Sequence, residues 1–401
     1  MTTPEEPTTP VAPGGAAAGD DPVGSDPVAP DPDDGAAASP ARRGPGRRTL
    51  LTGAALAGAL AVGGGGTAAV LGREDELAGA TVPEIAPADL RRFGFTVRGP
   101  KAGDMEPFLE DVRTVRGLGL GTVRYSIPVW ESVSDWGVRD GRYVGPVVLD
   151  DAQVAVIADA LDAVEERGLA SRAMAIGVYP HDDLSDEEIP AVMSGYWQAL
   201  ASALAPRAPT WQILNEPDGS DFRTFEMLDP MERPEYVQRI ADVLGAARDA
   251  IHAATPDAEV TTNLYGFPID AGMLERWISL WDRLAGSADV ITVDAYPETS
   301  TAELVRLVDY VWTLADRYGK PVEVGEIGIK TCEECFTTAQ QATAYSRYLS
   351  ALAASPARAV TFYTLRDGGT EDTERFGVID DAGEGRPAFR VLQSTARDAG
   401  I

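Results

Sequence analysis

The run TWQILNEPDG, residues 210–219, passes from an apolar, β-forming segment to a polar tip within ten positions. A strand built this way delivers Asn215 and Glu216 to one edge of a sheet, and Pro217 suits the first turn of a helix beyond that edge. The run PVEVGEIG, residues 321–328, has the same build and ends its strand on Glu326. Six further runs of this kind flank them: FGFTV from Phe93, GTVRYSI from Gly121, SRAMAIGVY from Ser171, AEVTTNLY from Ala258, ADVITVDAY from Ala288 and AVTFYTL from Ala359. Between them lie stretches such as LDDAQVAVIADALDAVEERG and TAELVRLVDYVWTLADRYGK, whose apolar residues recur three or four apart, the helical period. Strand starts fall 28 to 50 residues apart. Eight alternating β-α units predict an α/β fold, a (β/α)8 TIM barrel, over residues 89–401. A doubly wound open sheet is the rival, but its first strand would lead into a glycine-rich phosphate turn, and RGPKAGDMEP comes after FGFTV instead.

In such a barrel the chemistry sits at the carboxyl ends of the strands. Glu216 and Glu326 close the fourth and seventh strands and lie 110 residues apart, three β-α units, so both reach the same mouth. Two facing carboxyls are the equipment for glycosidic cleavage: one protonates the leaving oxygen while the other attacks or activates water. With two histidines, His181 and His252, and two cysteines, Cys332 and Cys335, the chain lacks the ligands for a His-rich metal site. The expectation is therefore carboxylate chemistry with no metal and no cofactor.

These strand-end motifs resemble those of clan A of the glycoside hydrolases, the retaining TIM-barrel enzymes, and are similar to those of its families 5 and 39. The resemblance spans FGFTV to PAFRVLQ. It implies that Asn215 contacts the sugar 2-hydroxyl, that Glu216 is the acid/base and that Glu326 is the nucleophile. Arg124 in VRYSIPVW matches the strand-two arginine beside the nucleophile, and Tyr296 in VDAYPE matches the aromatic hydroxyl that orients it. Tyr179 and His181 in VYPHD, with Asn263 and Tyr265 in TTNLYGFP, stand where sugar contacts or wall residues are expected. The clan's usual strand-eight tryptophan is missing; TFYTLRDGG offers Tyr363 and Arg366. Trp130 and Trp136 after strand two are candidates for a sugar-stacking platform, whereas Trp197, Trp277, Trp281 and Trp312 fit helix-to-barrel packing. Cys332 and Cys335, just after Glu326, are expected to form a disulfide if the chain leaves the cytoplasm. Hydrolysis of a β-linked glycan or oligosaccharide is the leading reading; transglycosylation at the same site and a silent carbohydrate-binding barrel are the alternatives.

The amino-terminal region reads differently. Residues 1–45 are dominated by Pro, Ala, Gly, Thr and Asp, a composition too poor in apolar surface to fold, and read as a disordered acidic tail. Within 46–72, Arg47-Arg48-Thr49-Leu50-Leu51 resembles a twin-arginine export signal, and LLTGAALAGALAVGGGGTAAVL continues from it without a charge. That segment is either cleaved or retained as a single membrane anchor, and either way the body is expected outside the bacterial cytoplasmic membrane, extracellular or at the cell surface. Residues 73–88 read as a linker. The chain carries 34 basic and 63 acidic residues, net −29, which opposes nucleic-acid binding. A carbohydrate substrate is the expected partner, and no protein partner is implied.

Overall fold

The computed structural model describes residues 80–176, 184–219, 221, 222, 229–332, 334–368 and 375–401. The sequence-predicted tail, signal or anchor and the first part of the linker fall outside these residues. Among the described residues no helix is long and apolar enough to cross a membrane.

A short helix α1 (Pro87–Leu90) leads into β1 (Phe93–Thr96), α2 (Glu106–Gly117) and β2 (Thr122–Pro128). Four short strands come next, β3 (Val133–Asp135), β4 (Val138–Arg139), β5 (Arg142–Tyr143) and β6 (Val148–Leu149), before α3 (Asp151–Glu165), β7 (Ala170–Ile176) and α4 (Ile189–Leu204). They lead to β8 (Thr210–Gln212), α5 (Pro234–Ala254), β9 (Glu259–Thr261), β10 (Asn263–Leu264) and α6 (Ala271–Leu284). The remainder is β11 (Ile291–Ala295), α7 (Thr301–Tyr318), β12 (Val322–Ile327), α8 (Thr338–Ala353), β13 (Ala359–Phe362) and α9 (Pro387–Asp398). Helix starts are fixed by side chains that accept from free backbone N–H groups: Asp150 for α3, Asp270 for α6, Ser300 for α7, and a Thr337/Gln340 capping box for α8.

The main sheet runs β10-β11-β12-β13-β1-β2-β7-β8-β9, every pair parallel. Its two ends, β9 and β10, are separated only by Thr262, so they are one broken stave and the sheet comes round as a barrel of eight staves, as the strand pattern predicts. The excursion after β2 folds as two small antiparallel pairs, β3 with β6 and β4 with β5.

Alternation along each stave separates two environments. Phe95, Val123 and Tyr125 face the helices, as Trp211 and Phe362 do; Tyr125 meets Phe108 of α2, Trp211 meets Trp197 of α4, and Phe362 stacks on Tyr345 of α8. Thr96, Arg124 and Arg172, aligned across β1, β2 and β7, point inward. At the amino-terminal end of the interior, Arg172 and Arg358 both hold Glu323, and Arg358 also holds Glu259, an ionic floor that ties β7, β12, β9 and the start of β13. Trp197, Trp277 and Trp281 are buried against the barrel as expected. Trp312 is not: it is 44% exposed on α7, because its position falls off the stripe made by Leu304, Leu307, Val308, Val311 and Leu314.

Candidate active site

β12 carries two interior carboxylates three residues apart, Glu323 and Glu326, a spacing that strict alternation would put on opposite faces. A register shift resolves it: Val293 pairs with Val324 and Asp294 with Glu326, leaving Gly325 as the extra residue of a bulge. Only glycine fits there, since a Cβ would come within 2.5 Å of Thr292 Cγ2 and 2.7 Å of Asp294 Oδ1. The bulge thus turns Glu326 into the barrel mouth.

Arg124 is the hub beneath it, buried to 1% exposure. Its Nη1 donates to Glu326 Oε1 at 2.6 Å, its Nε to Gln212 Oε1 at 2.9 Å and its Nη2 to Asn215 Oδ1 at 2.9 Å. Tyr296 donates its hydroxyl to the other oxygen, Glu326 Oε2, at 2.5 Å. Burial, then the charge of Glu326, hold the Tyr296 phenol well above its usual range, so it remains a donor.

Glu216 sits on a turn just past β8 with φ of 44°, the left-handed region that a side chain seldom adopts. Its backbone N–H donates to Asn263 Oδ1 at 2.9 Å, which pins the strained turn. Burial, reinforced by the charge of Glu326, pushes the Glu216 carboxyl up to about 7, against the opposing pull of a hydrogen bond with Asp294 and the charge of Arg124. That suits a group that must both give and take a proton near neutrality. Carboxylate oxygens of Glu216, Glu326 and Asp294 lie within 4.8 Å of one another. Such a cluster has the donor type for a hard cation, but Arg124 already places a fixed positive charge on Glu326.

The sequence reading singles out Glu216, Glu326, Asn215, Arg124, Tyr296 and Asn263, and the fold brings all six together. Asn263 is not a wall residue as expected: it is fully buried beneath the site, because it begins β10 immediately after the break at Thr262. Tyr265 and Tyr363 line a cavity of about 440 Å³ over Glu216 and Glu326, within the range of small-ligand sites. Trp130 is 47% exposed and packs edge-on against the buried Trp136, outside the set of residues lining that cavity. Tyr179 and His181 lie outside the described residues. Cys332 and Cys335 are joined as a disulfide. Sequence reasoning missed Gln212, Thr96 and Asp294; the signal for Asp294 was its place two residues before Tyr296, on the same strand face. A second cavity, about 720 Å³, lies at the opposite end beside Arg172, Glu259 and Arg358, whose charges are already engaged in the ionic floor.

Asp218, two residues beyond Glu216, is buried, and its Oδ1 accepts from the Tyr265 N–H at 2.8 Å. Burial pushes its carboxyl up to about 7 despite that bond. Between its unfolded and folded values the native state keeps a proton that the unfolded chain has released, so stability falls as pH rises through that window. Asp218→Asn, which retains an acceptor, is expected to stabilise the protein by about 1–3 kcal/mol near pH 8 and by little near pH 4. Thermal unfolding at the two pH values checks it; an equal gain at both would refute the protonation account.

No family model and no curated protein sequence matches the chain. Among solved structures it is similar to a beta-glucosidase from Thermotoga maritima in complex with deoxynojirimycin, at 13% identity over 79% of this chain and 100% of that one, with a TM-score of 0.56. It is also similar to the beta-glycosidase from the hyperthermophile Thermosphaera aggregans, at 14% identity over 78% and 97% of the two chains, TM-score 0.56. Fpglu1 from Fervidobacterium pennivoraus gives 14% identity, 77% and 96% coverage and a TM-score of 0.57. At these identities the likeness is one of fold, and that fold is the barrel expected from the strand pattern.

Proposed function

We propose that the chain is a retaining glycoside hydrolase that cleaves β-glycosidic bonds by double displacement. The observation that carries this reading is the pair Glu216 and Glu326, at the ends of the fourth and seventh staves with carboxylate oxygens within 4.8 Å. A retaining mechanism places the two carboxyls about 5–5.5 Å apart, whereas an inverting one needs about 6.5–9.5 Å to admit a water between them. Glu326, with both oxygens held by Arg124 and Tyr296, attacks the anomeric carbon as the bond to the leaving oxygen breaks, and Glu216 gives that oxygen its proton. Water then attacks the same carbon, yields a proton to Glu216, and frees Glu326. Similarity of fold to a beta-glucosidase and a beta-glycosidase supports the same substrate class. Export is part of the proposal, supported by the Arg47-Arg48 run and by a disulfide of the kind that persists in oxidising surroundings.

The test is proton NMR of β-linked oligosaccharides and aryl β-glycosides incubated with the purified protein. The expected first product is the β-anomer, which mutarotates afterwards. Initial release of the α-anomer would overturn retention, and no turnover across a broad panel would favour the binding-only barrel.

A further inference from the structure

Asp294 has no part in the two-glutamate scheme, yet it lies at its centre. It is fully buried on β11, and Asn263 Nδ2 donates to its Oδ2. Its Oδ1 is buried as well, and among the described residues no N–H or O–H reaches it. The nearby donors Arg124 Nη1 and the Tyr296 hydroxyl are directed to Glu326 rather than to Asp294. The remaining neighbour is Glu216, a carboxylate oxygen of which lies within 4.8 Å of one of Asp294. Two carboxyls can bond to one another only if a proton lies between them. The absence of a side chain at Gly325, whose Cβ would sit 2.7 Å from Asp294 Oδ1, makes the room for this arrangement.

We propose that Asp294 is a positioning residue that shares one proton with Glu216 and keeps that proton at the acid/base, a role that rests on the glycosidase reading of the site. The charged and titratable groups around Asp294 are Arg124 from β2, Glu216 beyond β8, Tyr296 on β11 and Glu326 on β12, with neutral Asn263 from β10. Counted with Asp294 itself, they set one cation against three carboxyls. Burial, then the charge of Glu326, raise Asp294 well above the carboxylate range, in keeping with a pair that does not release its last proton easily. When Glu216 gives the shared proton to the leaving oxygen, both carboxyls are left ionised beside Arg124, and the neighbouring Asp294 anion makes Glu216 the stronger base; when water attacks, Glu216 takes its proton and the pair returns to its starting state. No proton is gained or lost by the pair over a turnover.

Asp294→Asn keeps the shape but removes the second ionisable partner. Loss of the proton from Glu216 would then no longer create two adjacent anions, so the alkaline limb of the kcat/KM profile is expected to move to lower pH by about one unit or more. The value of kcat for a poor leaving group should fall about tenfold or more while KM changes little. Infrared difference spectra of wild type against Asp294→Asn, without substrate near neutral pH, should show loss of a protonated-carboxyl stretch. In Glu216→Gln that same band should remain assignable to Asp294 but titrate away at lower pH. An unmoved alkaline limb in an active, folded Asp294→Asn protein would overturn the proposal. Absence of the protonated-carboxyl band from wild type would overturn it even if no glycoside were hydrolysed, whereas a band present in a protein that hydrolyses nothing would leave the shared proton intact and refute the enzymatic reading instead.

Discussion

With an aryl β-glycoside as substrate, Glu326→Ala is expected to lower kcat/KM by on the order of 10⁴-fold or more, because the variant lacks the carboxylate proposed to form the covalent intermediate. The loss should be similar for good and poor leaving groups, since the missing step is the attack itself. Glu216→Ala should behave otherwise: about 10²–10⁴-fold loss for a poor leaving group, and much less in the first step for an activated phenol that departs without a proton. Added azide should restore turnover in Glu216→Ala with the β-configuration and in Glu326→Ala with the opposite one, since a small anion replaces water in the first and the nucleophile in the second. The contrast separates the two roles, because both carboxyls occupy the same pocket and loss of activity alone would not distinguish either deletion from damage. Identical leaving-group dependence in both variants would refute the assignment.

The second large effect is expected at Arg124. Arg124→Leu leaves Glu326 buried without its counter-charge and deprives Gln212 and Asn215 of donors. Breaking a buried pair from one side costs about 3–5 kcal/mol, more than most core substitutions, so urea unfolding should show a clearly lower midpoint. Arg124→Lys is the informative companion: it retains the charge, but one ammonium cannot reproduce the fork that bonds Glu326 on β12 together with Gln212 and Asn215 at β8. It should recover much of the stability while activity remains down by about 10²-fold, the scale set by a misplacement of about 1 Å. Full activity in Arg124→Lys would mean that charge alone, and not alignment, is what Glu326 requires.

How far the site was legible in the sequence is set by the interactions each residue depends on. The staves announce themselves as β-branched and aromatic runs, and Glu216, Asn215 and Tyr296 stand out because they are polar tips on those runs. Glu326 is visible in the same way, but its direction is not, since it depends on the bulge at Gly325, which no hydrophobic period reveals. Gln212 was missed because a polar residue inside an apolar strand carries no mark of what it faces, and Asp294 because its one mark, sharing a strand face with Tyr296, does not name its partner; those partners lie 88 and 31 residues away, at Arg124 and Asn263. The depth of Asn263 rests on the break at Thr262, and the exposure of Trp312 on a stripe one position narrower than the helical pattern admits. The hairpins after β2 have strands of two or three residues, too short for an alternation to register.

The ionic floor and the mouth differ in one more respect. At the floor, burial opposes the charge on Glu323, but Arg172 and then Arg358 outweigh it and hold that carboxyl below its usual range. At the mouth, Glu216 and Asp294 are shifted the other way. The barrel therefore sorts its buried carboxyls by pole: the one that clasps the staves from below is kept as an anion by two arginines, while those that would face a substrate hold their protons more tightly than a free carboxyl does.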